Sequence, residues 1–553
     1  MRQILALPPI LLITALSTWG KLPDSHVEFP IGVTKDNTPI ICWLDKGSLD
    51  SLSNKKSILL VFGMDPEDPQ IQRPLKTRLK EFFESLEGCS EHYTFSVVMN
   101  ANPDKKAPMK FPPEGSAYNK DRNSAAHYLW RFIGNHGFDH VISLHQPGKD
   151  VLKSGHAVFA LREFGKALKE QDLANVGSVQ SNLITITNAP EEFGKLLTEV
   201  TQRIQSQHVP YSEARLEIQK RLKRSPLQTA QQLAKHYGKD PRPQYIPALA
   251  QLCRLRIAEL DNDPKHKSDV LNSLLPYAKG EKNPLSKKVS GVNLAGHLTI
   301  AELAKSEKDP AFTKLIIAAA NQALASRGDK EGSPVAGHNQ MSDSVFMVCP
   351  LLAAAYGLTG KQQYLDACLA HYKYIRSICL RDDGIYRHSP QDEAAWGRGN
   401  GFPALGLALS LSWIPEGSPA HKELLTALQA HIDALLPHQD ITGMWHQVID
   451  HPEVYREMTS TCMFTFSIAR CLNRGWLPKE KYLPVVKKSW PAINRRISTN
   501  GELLDVCTGT GKQKNLRAYF DRTAILGKDS RGGAMALMAS TEIEELQRNL
   551  KEK

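Results

Sequence analysis

The chain has 553 residues, 41% of them hydrophobic and 23% charged, with a formal net charge of +11. These proportions are ordinary for a soluble globular protein, and the length is more than one ordinary domain requires. The basic excess is spread along the chain, with no long Lys/Arg run and no interleaving of basic and aromatic residues, so nucleic acid is not an expected partner.

In chain order, residues 1–22 come first. MRQILALPPILLITALSTWG places one Arg before an apolar run and small residues after it. That order predicts a secretory signal peptide and export to the periplasm or the extracellular space; a retained N-terminal anchor is the rival reading. No later stretch is apolar enough to cross a bilayer, so no membrane contact is expected once the leader is removed. The nine cysteines are odd in number and lack a C-x-x-C. Cys253, Cys349, Cys368, Cys462 and Cys471 fall in helical patterns, which predicts buried small hydrophobes rather than ligands or cross-links.

Residues 25–205 alternate strand and helix signals. SILLVFGM (57–64), YTFSVVMN (93–100), DHVISLH (139–145) and NLITIT (182–187) are short runs rich in β-branched and aromatic residues. LKTRLKEFFESL and AAHYLWRFIGNHG between them carry helical spacing. This predicts an α/β domain with a largely parallel sheet. The charged stretch 206–226 reads as a connecting helix or linker.

From 227 to 553 the strand signal nearly vanishes. About twelve amphipathic stretches follow, many separated by short turns such as LTGK and PEGSP. Paired helices over this length predict a solenoid or a closed toroid, and periodicity does not choose between them.

Polar and aromatic residues gather at helix ends in four segments of this half. They are HNQMSDSVFMVCPLLAA (338–354), DDGIYRHSPQDEAAWGRGNGF (382–402), QDITGMWHQVIDHP (439–452) and YREMTSTCMFTFSIARCLNRGWL (455–477). In DEAAWGRGNGF, glycine permits close backbone approach, Trp offers a flat face and Arg a planar fork. Asp343 alone reads equally well as a helix N-cap.

The words SDSVFM, GIYRHS, WGRGNG, TGMWHQV and DSRGGAMALMASTE, in this order, make residues 226–548 resemble glycoside hydrolase families 105 and 88, the unsaturated rhamnogalacturonyl and glucuronyl hydrolases. The resemblance implies an (α/α)6 barrel and no cofactor. It implies an acidic oligosaccharide substrate, ending in a 4,5-unsaturated uronic acid that is released by hydration of the vinyl ether. It makes Asp343 the catalytic residue, and His388, Trp396, Arg398, Asn400, Trp445, His446, Asn293 and His338 substrate contacts. The chain departs from the family pattern at three places: Ser290 where a second carboxylate is expected, Met341 before the catalytic Asp, and Phe402 after GRGNG. His297 or His338 could take over part of the missing carboxylate's role.

In the N-terminal half, VFGMDPED, MNANPD and AHYLWRFIGNHGFDHVISLH resemble the zinc carboxypeptidase fold. Asp65, Asp68 and His145 fall on the corresponding metal positions. Carboxylates and one imidazole make a weak zinc set, so a metal-free scaffold is the expected state. The alternatives to a uronyl hydrolase are a carbohydrate-binding or scaffolding protein with an impaired barrel, and a metallopeptidase or amidase centred on the N-terminal domain. The oligomeric state is not legible.

Overall fold

A computed structural model describes residues 22–64, 91–104, 109–115, 124–145, 156–185, 210–326 and 340–551. Residues 1–21 of the expected leader, the LKTRLKEFFESL helix, Asp65, Asp68, His338 and the side chain of His145 lie outside these.

Six strands form the N-terminal sheet: β1 (His26–Val33), β2 (Pro39–Asp45), β3 (Lys56–Val61), β4 (Tyr93–Val98), β5 (His140–His145) and β6 (Gln180–Thr185). Their order is β1-β2-β4-β3-β5-β6. The run from β4 to β6 is parallel, and the Tyr93–Val98 strand is buried throughout, as continuous apolar runs require. The four strands expected from the sequence run parallel, as predicted, and the first two strands add to them. This added pair forms an antiparallel hairpin on the sheet's edge, so the sheet is mixed. Pro30 weakens the strand signal of β1; the pairing register shifts between Pro30 and Gly32, and this bulge accommodates the missing N–H. Helix α1 (Ser124–His136) packs on β1, and α2 (His156–Glu170) on β6.

The segment expected to be a connector contains α3 (Glu213–Leu222). It is docked, because buried Arg215 donates to Asp139 at 2.9 Å and to the Ser53 carbonyl at 2.7 Å.

Among the described residues, twelve helices then pair into a ring. The outer members are α4 (Pro226–Ala234), α6 (Pro264–Ala278), α8 (Pro310–Ala325), α10 (Gln362–Cys379), α12 (Pro419–Leu435) and α14 (Lys479–Asn494). The inner members are α5 (Tyr245–Asp261), α7 (Leu298–Glu307), α9 (Ser344–Thr359), α11 (Gly397–Leu411), α13 (Met458–Asn473) and, after the short α15 (Leu516–Phe520), α16 (Ser530–Lys551). Each inner helix touches the next, and α16 returns to α5, so the ring is closed.

Composition sorts the helices. Inner α11 is buried along its whole length, as an apolar helix must be, whereas outer α12 buries Leu424, Leu428, Ile432 and Leu435 on one stripe. Each fully buried Leu contributes about 2 kcal/mol relative to exposure. Inner helices approach closely through small residues. A Cβ on Gly406 of α11 would lie 2.7 Å from the Phe346 backbone of α9, so only glycine fits there. The eight described cysteines are buried and free of disulfides, and for Cys253, Cys349, Cys368, Cys462 and Cys471 this is what their helical positions predicted.

Between α14 and α16 the chain makes a two-stranded ribbon, β7 (Leu503–Cys507) and β8 (Ala524–Gly527), with α15 between its strands. Trp396, Tyr455, Tyr519 and Phe520 share one buried apolar cluster with Phe29, Tyr128 and Phe132 of the sheet domain. The sheet domain therefore packs on the mouth of the ring where α9, α11 and α13 begin.

Candidate active site

Asp343 stands immediately before α9 with helical dihedrals (φ −50°, ψ −31°), and its side chain makes no capping bond. The capping reading of this residue is thereby removed. Its Oδ1 lies 3.3 Å from Nε2 of His388, and the two groups are 6% and 0% exposed. The pair does not meet hydrogen-bond geometry, so both atoms remain unsatisfied. Buried polar atoms without partners are rare and costly, and they concentrate where a ligand completes the set.

More such atoms lie close by. Ser342 Oγ, Trp396 Nε1 and Gln447 Oε1 are also buried without partners among the described residues. Gly399 ties the patch together, since a Cβ there would stand 3.1 Å from Ser342 Oγ, 3.1 Å from the Trp396 ring and 3.4 Å from the His388 ring. The His388 and Trp396 rings lie 4.4 Å apart, centre to centre. His388 is held on its other nitrogen by the Tyr519 hydroxyl at 2.9 Å. Burial pushes the Tyr519 phenol up to about 12, so it keeps its proton.

The remaining expected contacts are engaged elsewhere. Arg398 is buried over the Trp396 ring at 4.6 Å, and its fork donates to the carbonyls of Cys507 and Thr508, both at 2.7 Å, and to Thr459 Oγ1 at 3.2 Å. Burial alone would lower this guanidinium, but Cys507, Glu457, Tyr245 and Asp343 around it raise it, so its charge is retained. It reaches the site as a buried positive charge, and the free bidentate fork expected of it is not available. Asn400 accepts from Tyr386 N–H at 2.6 Å and donates to the Tyr386 carbonyl at 2.8 Å. It therefore clamps the strand that carries His388 to α11, the turn-forming role. Trp445 is fully buried, donates to the Leu435 carbonyl at 2.8 Å and packs on Phe464, so it is core and not a sugar platform.

His446 belongs to a neighbouring cluster. Its Nδ1 meets the Val454 carbonyl at 2.7 Å, and its Nε2 lies 3.5 Å from Asp440. Burial would raise the Asp440 carboxyl, but Arg456 and His446 beside it hold it well below the usual carboxylate range. Asn293 donates to the carbonyls of Pro243 and Pro284, which fixes a turn. Ser290 Oγ accepts from Asn293 N–H at 3.3 Å as the cap of a short helix. Burial pushes His297 down to about 4, so it stays neutral near pH 7 and supplies no second charged group.

Sequence reasoning missed three contributors. Glu457 is buried and accepts from the N–H groups of Thr459, Ser460 and Cys507, which pins the loop that receives Arg398. Gln447 lies inside the word TGMWHQV, which was read for Trp445 and His446, while Tyr519 comes from a segment with no chemical signature. Glu457 left a trace of its own, an acidic residue just before the TSTCMF helix.

A cavity of about 480 Å³ opens at the opposite mouth of the ring, lined by Arg256, Glu302, Trp413, Phe466, Arg470 and Glu542 among others. Its charges largely satisfy one another: Arg470 bonds Glu542 through both nitrogens, at 2.8 and 2.7 Å, and Arg256 pairs with Glu545.

Residues 219–547, more than half of the chain, match Glycosyl Hydrolase Family 88. The chain is 31% identical over 124 residues to the unsaturated rhamnogalacturonyl hydrolase YesR of Bacillus subtilis, covering 22% of this chain and 34% of that protein. It is 24% identical over 223 residues to an unsaturated 3S-rhamnoglycuronyl hydrolase of Formosa agariphila, covering 37% and 57%. The matches thus span about a third to somewhat over half of these relatives' lengths. A family 105 glycoside hydrolase from C. acetobutylicum shares the fold, with a TM-score of 0.51 at 18% identity over 57% of this chain and 99% of that one. The match falls on the helical ring and its approach helix, and by it the chain belongs to Glycosyl Hydrolase Family 88.

Proposed function

We propose that the protein removes a terminal 4,5-unsaturated uronic acid from oligosaccharides left by a polysaccharide lyase. The observation that carries this reading is the Asp343–His388 pair, buried, 3.3 Å apart and unsatisfied on both sides. Protonated Asp343 delivers its proton to C4 of the ring, and positive charge develops at C5 and the ring oxygen. Water adds at C5 and its proton returns to the Asp343 carboxylate, so one group serves as acid and then as base. The resulting hemiketal opens and the aglycone leaves. Ser342, Trp396 and Gln447 offer hydroxyl, N–H and carbonyl partners for the sugar, and buried Arg398 favours a negatively charged ligand from behind Trp396.

Loss of near-ultraviolet absorbance of lyase-generated pectin, glycosaminoglycan and ulvan oligosaccharides tests this directly. Wild-type protein should bleach at least one of them. A wild type that bleaches none overturns the reading. A second reading, a carbohydrate-binding protein with an impaired barrel, is favoured by one observation: the position expected to hold a second carboxylate is Ser290, whose oxygen is occupied as a cap. Binding without bleaching would support it. We further propose export by the leader at 1–22, which N-terminal sequencing of protein from the medium or periplasm would test.

A further inference from the structure

Among the described residues, the oxygen of buried Tyr519 has two hydrogen-bond neighbours. Gln513 N–H donates to it at 3.3 Å, and His388 Nδ1 lies 2.9 Å away. Since one lone pair is occupied by an incoming N–H, the phenolic hydrogen has the imidazole nitrogen as its partner. The reverse assignment, with Nδ1–H donating to the phenol, would leave the phenolic hydrogen with no acceptor among the described residues. It would also turn a bare Nε2 lone pair toward Asp343 Oδ1 at 3.3 Å, where two electron-rich atoms repel. Only the Nε2–H arrangement gives the phenolic hydrogen an acceptor and avoids opposing lone pairs at Asp343.

We infer that Tyr519 is a positioning residue that fixes His388 as its Nε2–H tautomer, sets that N–H beside Asp343, and is itself held in place by the N-terminal sheet domain. This deepens the functional reading above and rests on it. The Nε2–H places a donor, not a lone pair, 3.3 Å from the carboxyl that gives its proton to C4 and takes one back from water. The brace is built from named contacts. Arg517, two residues before Tyr519 on α15, donates to the Thr34 carbonyl and to Asn37 Oδ1, both at 2.8 Å, on the hairpin of β1 and β2. Arg131 of α1 donates to the Ala524 carbonyl at 3.2 Å and pairs with Asp505, so both strands of the ribbon carrying α15 are tied to the sheet domain. Phe520 packs in the sheet domain's apolar cluster. The domain thus reaches the reaction centre through the ribbon, 131 residues along the chain from His388.

Tyr519→Phe and Arg517→Ala in the full chain test this. Tyr519→Phe should lower kcat about tenfold with KM little changed. Arg517→Ala should do the same to a smaller extent. If wild type turns over and Tyr519→Phe matches it in kcat, the inference fails and the functional reading stands. If wild type does not turn over, that reading fails, and the tautomer decides this one without activity. In 13C-histidine-labelled protein, the His388 signal, identified by its absence from His388→Gln, should show the Nε2–H pattern in wild type and lose it in Tyr519→Phe. An Nδ1–H pattern in wild type would overturn the assignment.

Discussion

The two mouths of the helical ring differ in a way that volume alone would misjudge. The mouth where α5, α7, α11, α13 and α16 end holds the roomy cavity, yet its Arg and Glu side chains mostly face each other in ion pairs. The mouth where α9, α11 and α13 begin is tightly packed, yet it leaves Ser342, Asp343, His388, Trp396 and Gln447 with unsatisfied buried atoms. Satisfied charge stabilises a fold, whereas unsatisfied polar groups cost stability and persist where chemistry needs them.

Substitutions at the two mouths should therefore separate activity from stability. The largest effect is expected of Asp343→Asn, which should reduce kcat about a thousandfold or more while leaving oligosaccharide binding measurable by calorimetry. A residual rate near wild type would move the acid–base role elsewhere and erase the distinction. At the other mouth, Glu542→Ala leaves buried Arg470 without its carboxylate and should cost about 3–5 kcal/mol in denaturant unfolding. The folded fraction should keep its kcat/KM; a matching loss of kcat/KM would mean that the mouths are coupled.

Acid should weaken the ring through its buried histidines. Burial pushes His297 and His371 down to about 4 from 6.5. Both are neutral in the folded chain near pH 7, while the unfolded chain binds protons below 6.5. Stability is thus complete above pH 6.5, falls as pH drops toward 4 and levels below it, by up to about 3 kcal/mol per histidine. His297→Leu should flatten part of that slope in unfolding curves taken at successive pH values. Smallest of all, Lys373→Ala removes an exposed pair with Glu423 on the outer layer and should shift stability by no more than about 0.5 kcal/mol.

Legibility in the sequence followed the range of the interactions. Helices were readable because α10, α12 and their kin carry their apolar stripe locally, and Asp343 was readable because its neighbours on α9 form a distinctive word. Ring closure was not, since it rests on α16 meeting α5 nearly three hundred residues earlier. Arg398 was taken for a free fork because its carbonyl partners at Cys507 and Thr508 lie 109 and 110 residues onward. Tyr519 left no trace for the same reason. In β1, the proline that obscured the strand is absorbed by a bulge that only pairing with β2 reveals.

The ribbon's irregularity carries a thermodynamic consequence. Its register shifts between Leu503 and Val506, and Asp505 within that stretch takes a left-handed φ of 61°. The carboxylate of Asp505 pairs with buried Arg131 of α1. Neither partner can return to water unless sheet and ring come apart together, so heating should yield a single endotherm for both instead of one for each. The two halves of this chain are distinguishable in architecture but should be inseparable in melting.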